Sequence, residues 1–162
     1  MNAQEKGQHE MNGNNYAKFF LMLGLSFLAM YITMYLNTYA IDHVYLSLTR
    51  FYMSCLGISA MAVIMLSLML NMYTNKKKNI AIYAGSLVLF LGALGLVRAQ
   101  SPIIGDVLWM KAMIPHHSIA ILTSERAAIS DPEVKKLAED IIKTQKREIT
   151  EMKRMIERLE NE

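Results

Sequence analysis

The chain has 162 residues, 53% of them hydrophobic and 19% charged, with a net charge of +3. That length allows one or two small units. So small a positive charge, without a basic stripe or interleaved aromatics, argues against a nucleic-acid partner, and the single cysteine, Cys55, excludes an intrachain disulfide. The averages conceal a division. Residues 19–97 carry few charges, namely Asp42, Arg50 and the run Lys76-Lys77-Lys78, whereas residues 125–162 are dominated by Glu, Lys and Arg. Such a division predicts a membrane part joined to a soluble part.

Residues 1–15 are polar and rich in Asn, Gln and Gly, and read as a flexible tail. Three apolar runs follow, from about Lys18 to Leu36, from Phe51 to Met72 and from Ile80 to Val97. Each is close to the roughly 20 residues that a helix needs to cross a bilayer. Residues 16–98 are therefore expected to form three transmembrane helices in a lipid bilayer. The first run is too long and starts too late for a cleaved signal peptide. Basic residues set the orientation. Lys6 and Lys18 precede the first helix and the triple lysine lies between the second and third, whereas the intervening loop offers only Arg50. The N-terminus is then expected in the cytoplasm and residues 99–162 on the outer, extracytoplasmic side. Tyr35, Tyr39, Tyr45 and Tyr52 would form an outer aromatic belt.

A soluble helix is expected from about Gly105 to Ala128. Ser130 and Glu133 have capping-box spacing, and Pro132 suits a first helical turn. A second helix runs to about Leu159, with Val134, Leu137, Ala138, Ile141, Ile149, Met152, Ile156 and Leu159 as its apolar stripe. The fold class is all-α: three membrane helices, then an antiparallel helical hairpin. Two helices make a poor core, so a homodimer forming a four-helix bundle is expected.

Chemistry concentrates at Trp109-Met110-Lys111-Ala112-Met113-Ile114-Pro115-His116-His117. Met113 and His117 share a helix face, and on the second helix Gln145, Glu148, Met152 and Met155 form a stripe. Residues equidistant from a turn near Ser130-Asp131 should lie side by side, since both helices rise about 1.5 Å per residue. That register sets His117 against Gln145, Met113 against Glu148 and Met110 against Met152. The candidate metal ligands are thus His116, His117, Met110, Met113, Met152, Met155, Glu148 and Gln145. Thioethers with imidazole suit a copper or silver ion in the monovalent state, and a bend at Pro115 would aim both histidines inward. The plainer reading is that these methionines fill a core, as methionines at helical spacing ordinarily do. The same holds for Met61, Met65, Met69 and Met72 in the second apolar run. His43 lies on the side of the hairpin, although a surface histidine is the simpler expectation. No phosphate loop, nucleophile elbow or HExxH motif is present, and the chain is not expected to be an enzyme.

The stretch from Asp106 to Met155 resembles the family of domain of unknown function 305. The residues that carry the resemblance are Asp106, Trp109, Met113-Ile114-Pro115-His116-His117, Ala120, Asp131-Pro132-Glu133, Leu137-Ala138, Ile141-Ile142, Gln145, Glu148-Ile149 and Met152. Met34-Tyr35, Val44-Tyr45, Phe51-Tyr52-Met53 and Met72-Tyr73 are similar to its bacterial membrane branch. The resemblance implies a ferritin-like helical domain, often periplasmic, anchored in a bacterial plasma membrane. For some members it implies copper or silver binding, with Met113, His116, His117 and Met152 as ligands. Thr123-Ser124 departs from the pattern, removing a possible soft ligand. The expected role is sequestration or handing-on of the metal. The alternatives are a structural or interaction protein without metal, and a ferritin-like metal oxidase, which the absence of Glu-x-x-His motifs disfavours.

Overall fold

The computed structural model describes residues 3–100 and 103–161, with side chains described from residue 15 onward. The chain is all-α: α1 Ala3–Thr33, α2 Leu48–Leu68, α3 Lys76–Ala99, α4 Asp106–Arg126 and α5 Pro132–Glu160, with a short 3-10 turn at Ile41–His43 and no strand among the described residues. The backbone from Ala3 continues α1, where composition suggested a tail. Extending a helix already nucleated by its apolar half adds one hydrogen bond per residue fixed.

Two compact units emerge. The first comprises Met1–Tyr31 with Phe51–Ala99, the second Ile32–Arg50 with Gln100–Glu162. The connection 32–50, which the apolar pattern grouped with the membrane region, thus packs with the hairpin.

In the first unit, Asn15–Thr33, Leu48–Leu68 and Lys76–Ala99 are each long and apolar enough to cross a membrane. Tyr16, Phe19, Ala62, Leu66, Tyr73 and Ile82 form the core of this unit. Leu25, Leu28, Ile64, Leu87 and Val88 point outward. One end is knitted by polar contacts: Tyr16 Oη donates to Asn79 Oδ1 at 2.5 Å, and Asn79 Nδ2 donates to the Tyr73 carbonyl at 2.6 Å. The Tyr16 and Tyr73 rings meet at a tilt of 53°, their centroids 5.1 Å apart. After Ala99, Gln100 takes a left-handed conformation, φ 57°, that stops α3.

In the second unit α4 and α5 pack as a hairpin around Met110, Ile114, Ile121, Ile149, Met152 and Ile156, with Tyr45 of the connection laid against them. Tyr45 is therefore part of this core rather than of an aromatic belt. Tyr35 is likewise engaged: it accepts the Ser47 N–H at 3.0 Å, and the Arg50 guanidinium lies 4.3 Å from its ring centroid. The start of α5 is set by Pro132, which forces the preceding residue into an extended conformation. Asp131 sits at φ −72°, ψ 128°, and its carboxylate accepts the Glu133 and Val134 N–H groups, both at 2.9 Å. The cap is Asp131, one residue after the serine that the capping-box spacing singled out. Asp131→Ala is expected to destabilise the second unit by about 1 kcal/mol, whereas Ser130→Ala should be nearly neutral. Denaturant unfolding followed by the fluorescence of Trp109, the chain's one tryptophan, checks the pair of variants.

Candidate functional site

Successive residues on a helix point about 100° apart, and α4 continues through the buried Pro115. Only one of the adjacent histidines can face α5. It is His117, whose side chain is 13% exposed. Its Nδ1 lies 2.9 Å from the Met113 carbonyl and its Nε2 lies 2.9 Å from Glu148 Oε2. His116 is exposed and turns instead to a shallow groove of about 360 Å³ lined by Arg50, Trp109, Met113 and others of this unit. The two rings stand 6.1 Å apart at 66°. The expected inward aim of both histidines is thus corrected by helix geometry.

The pairing across the hairpin also differs from the register obtained by counting. His117 meets Glu148 and not Gln145, and Lys111 forms an ion pair with Glu160. Counting compares Cα levels, but helical side chains lean toward the N-terminus of their own helix. In an antiparallel pair the α4 side chains lean away from the turn and the α5 side chains lean toward it. Partners therefore lie farther along α5 than counting predicts.

The remaining candidate ligands divide by burial. Met110 and Met152 are 4% and 6% exposed, inside the hairpin core. Met113 and Met155 are half-buried against that core. Gln145 is half-buried one turn before Glu148. Among the described residues no group of three or more His, Cys, Asp or Glu side chains is positioned to share an ion.

A hydrogen-bond inventory defines what the His117–Glu148 contact can do. A carbonyl only accepts, so Nδ1 is the donor toward Met113 and carries a proton. Neutral imidazole then presents a lone pair at Nε2, and an ionised carboxylate presents lone pairs of its own. Two acceptors at 2.9 Å hold together only around a proton or another cation. With metal–nitrogen and metal–oxygen bonds of about 2.0–2.2 Å, the same separation suits two neighbouring ligands of one ion. The carbonyl contact at Nδ1 fixes the tautomer and the ring plane, as outer contacts of metal-bound histidines do. Met113, four residues before His117, and Met152, four residues after Glu148, lie on the same two helix faces. One imidazole and one carboxylate thus face each other across the hairpin, with a thioether one helical turn away on each helix.

Sequence patterning missed a second polar centre. Ser118 is fully buried on the seam side of α4. Its Oγ accepts the Tyr39 N–H at 2.7 Å and lies 3.0 Å from His43 Nδ1. Asp42 accepts from Lys153 Nζ at 2.5 Å, and Lys146 lies 5.5 Å from the Tyr39 ring centroid. These contacts fasten the connection 32–50 to both hairpin helices. His43 is accordingly not a plain surface residue; its side chain is 12% exposed. Burial, and then the Lys153 charge, hold its pKa below the ordinary histidine value, against the opposing pull of Asp42. The Lys153 hydrogen bond in turn lowers the Asp42 carboxyl. The available signal was Ser118 itself, a hydroxyl midway between Ile114 and Ile121 on an apolar stripe.

The model of a family described as domain of unknown function (DUF305) matches residues 98–161. The chain is 34% identical over 146 residues, 88% of its own length and 93% of the relative's, to an uncharacterized protein of Acanthamoeba polyphaga mimivirus. That relative is viral, so it lends no support to the bacterial branch. No solved structure matches.

The Ser118 centre carries a pH dependence. Unfolded, His43 takes up a proton near about pH 6.5, whereas folded it takes one up only at lower pH. Lowering the pH through that value favours the unfolded chain, so the stability present above it is progressively lost. Asp42, whose folded pKa is also depressed, adds a separate loss only in the acid range below about pH 4. Thermal unfolding read at Trp109 is expected to shift to lower temperature between about pH 7.5 and about pH 5.5. His43→Gln should flatten that slope, and an unchanged slope in the variant would refute the assignment.

Proposed function

The chain belongs to the family of domain of unknown function 305, and we propose that it is a membrane-anchored binder of a soft metal ion, copper(I) or silver(I). The ion would be held between His117 and Glu148, with Met113 and Met152 as thioether ligands. The observation that carries this reading is His117 Nε2 facing a Glu148 carboxylate oxygen at 2.9 Å, with Nδ1 already committed to a carbonyl. Thioethers adjoin the pair instead of further carboxylates or cysteines, which favours a soft ion over zinc or a di-iron centre. His116 and Met113, three residues apart and lining one groove, give a route by which the ion enters. Met155 and Gln145 flank the site. The role that fits is sequestration or handing-on, without catalysis.

The reading places α1, α2 and α3 in a bilayer, with the N-terminus and Lys76-Lys77-Lys78 in the cytoplasm and the hairpin on the outer side. The hairpin would be completed by a second copy into a ferritin-like four-helix bundle. Val134 and Leu137, 49% and 60% exposed on the apolar stripe of α5, support that pairing.

The competing reading takes the methionines as core alone, and the burial of Met110 and Met152 favours it. Met152→Leu separates the two, because it keeps the volume of the core while removing the sulfur. Titration of the full chain in detergent with silver(I) is expected to raise its melting temperature. Met152→Leu should weaken silver binding roughly tenfold or more while costing under about 1.5 kcal/mol of stability, and His117→Ala should abolish binding. Protons compete for the same lone pair, so affinity should fall as pH is lowered. A wild-type melting temperature indifferent to silver(I) would defeat the proposal. For topology, a C-terminal alkaline phosphatase fusion should be active, and an inactive, stably expressed fusion would reverse the orientation.

A further inference from the structure

A cleft of about 710 Å³ runs along the first unit between α1, α2 and α3. Tyr16, Phe20, Gly24 and Phe27 of α1 line it at spacings of three and four residues, and Lys78, Ile82, Gly85 and Leu89 of α3 do the same from the other side. Its walls are almost entirely apolar. A Cβ added at Gly24 or at Gly85 would meet no atom within 4 Å, so both glycines open onto free space rather than onto a packed neighbour.

Two polar features point to an occupant. The first is Ser86, which lines the cleft and is 7% exposed. The hydroxyls of Tyr16 and Ser59, the other two in the lining, bond to Asn79 and to the Leu56 carbonyl. The Ser86 hydroxyl makes no hydrogen bond among the described residues. A buried hydroxyl without a partner costs about 1–3 kcal/mol, and in hydrocarbon no water relieves it. The second feature is charge at the mouth. Lys76, Lys77 and Lys78 form the first turn of α3, which holds no acidic residue. Lys78 Nζ lies 4.9 Å from the Tyr16 ring centroid and, among the described residues, pairs with no carboxylate. Asn75 Oδ1 caps the Lys78 N–H at 3.0 Å, so the helix start adds chiefly its dipole to the positive potential there.

We propose that this cleft binds an anionic phospholipid. The headgroup meets Lys78 and the α3 N-terminus. An acyl chain runs down between Gly24 and Gly85, and an oxygen of the lipid's ester region accepts from Ser86, about 12 Å along the helix from Lys78. The lysines then hold a specific lipid as well as orienting the chain. The inference rests on the reading that α1, α2 and α3 cross a bilayer.

The experiment is native mass spectrometry of the full chain, extracted in a neutral detergent and supplied with equal amounts of phosphatidylglycerol and phosphatidylcholine. The wild type is expected to retain one phosphatidylglycerol per chain in clear preference to phosphatidylcholine. Lys78→Gln should lower that retention about fivefold, in keeping with roughly 1 kcal/mol per basic residue. Gly85→Leu should abolish retention by filling the cleft, and Lys135→Gln, on the exposed face of α5, should change nothing. Lys78→Gln alters only the mouth, so it keeps the test decisive if Gly85→Leu fails to fold. Equal retention of the two lipids, or undiminished retention in Lys78→Gln, would overturn the lipid site. A wild-type dimer that retains no lipid and is dissociated by Gly85→Leu would assign the cleft to a second copy and overturn it as well. A chain recovered soluble without detergent would instead overturn the membrane reading beneath it.

Discussion

Ile114 and Ile121 of α4 and Ile149 and Ile156 of α5 close against one another with exposures of 0–4%. α5 has one apolar stripe and is otherwise charged, so it can be hidden only along a single line of contact. Each such side chain contributes roughly 1.5–3 kcal/mol when removed from water. That contact fixes the rotation of both helices about their axes, and the polar groups along them take their positions from it. His117 falls beside the seam and His116 outside it. Glu148 falls where His117 can reach it, and Ser118 falls beneath the connection 32–50.

The His117–Glu148 contact explains why a carboxylate is tolerated on an otherwise apolar stripe. A buried carboxylate without a partner is costly. Here the carboxylate remains 38% exposed and is joined to an imidazole on its inner side. The contact is incomplete without a positive charge between the two groups, and the thioethers close by do not compete for a proton. The carbonyl of Met113 makes the arrangement directional by holding the ring so that only Nε2 faces the gap.

In the first unit Tyr16, Asn79 and the Tyr73 carbonyl tie the middle of α1 to the turn between α2 and α3. Farther in, packing relies on small residues. Gly57 lets the Met30 sulfur approach to within 2.7 Å of where a Cβ would stand, while Gly24 and Gly85 leave space unfilled. The same residue type thus closes one side of the bundle and opens another.

Helix number, helix type and the division between apolar and charged halves follow from the sequence by itself, because hydropathy and the 3.6-residue period are local properties of the chain. α4 and α5 begin and end within a few residues of the limits expected from Gly105, Ala128, Pro132 and Leu159. The candidate cluster was legible too, since Met113–His117 and Glu148–Met152 are four-residue spacings that any helix places on one face. Which side chains meet across the hairpin was decided only by the tertiary structure. The lean of helical side chains moved the partner of His117 from Gln145 to Glu148, and helix rotation turned His116 away from α5 into the groove it shares with Met113. The docking of 32–50 onto Ser118 was decided there as well, because a segment without periodicity carries no local signal of what it will cover. The open cleft beside Gly24 and Gly85 belongs to the same category. A glycine's sequence position says that a side chain is missing, and only the packed neighbours determine whether the space is filled.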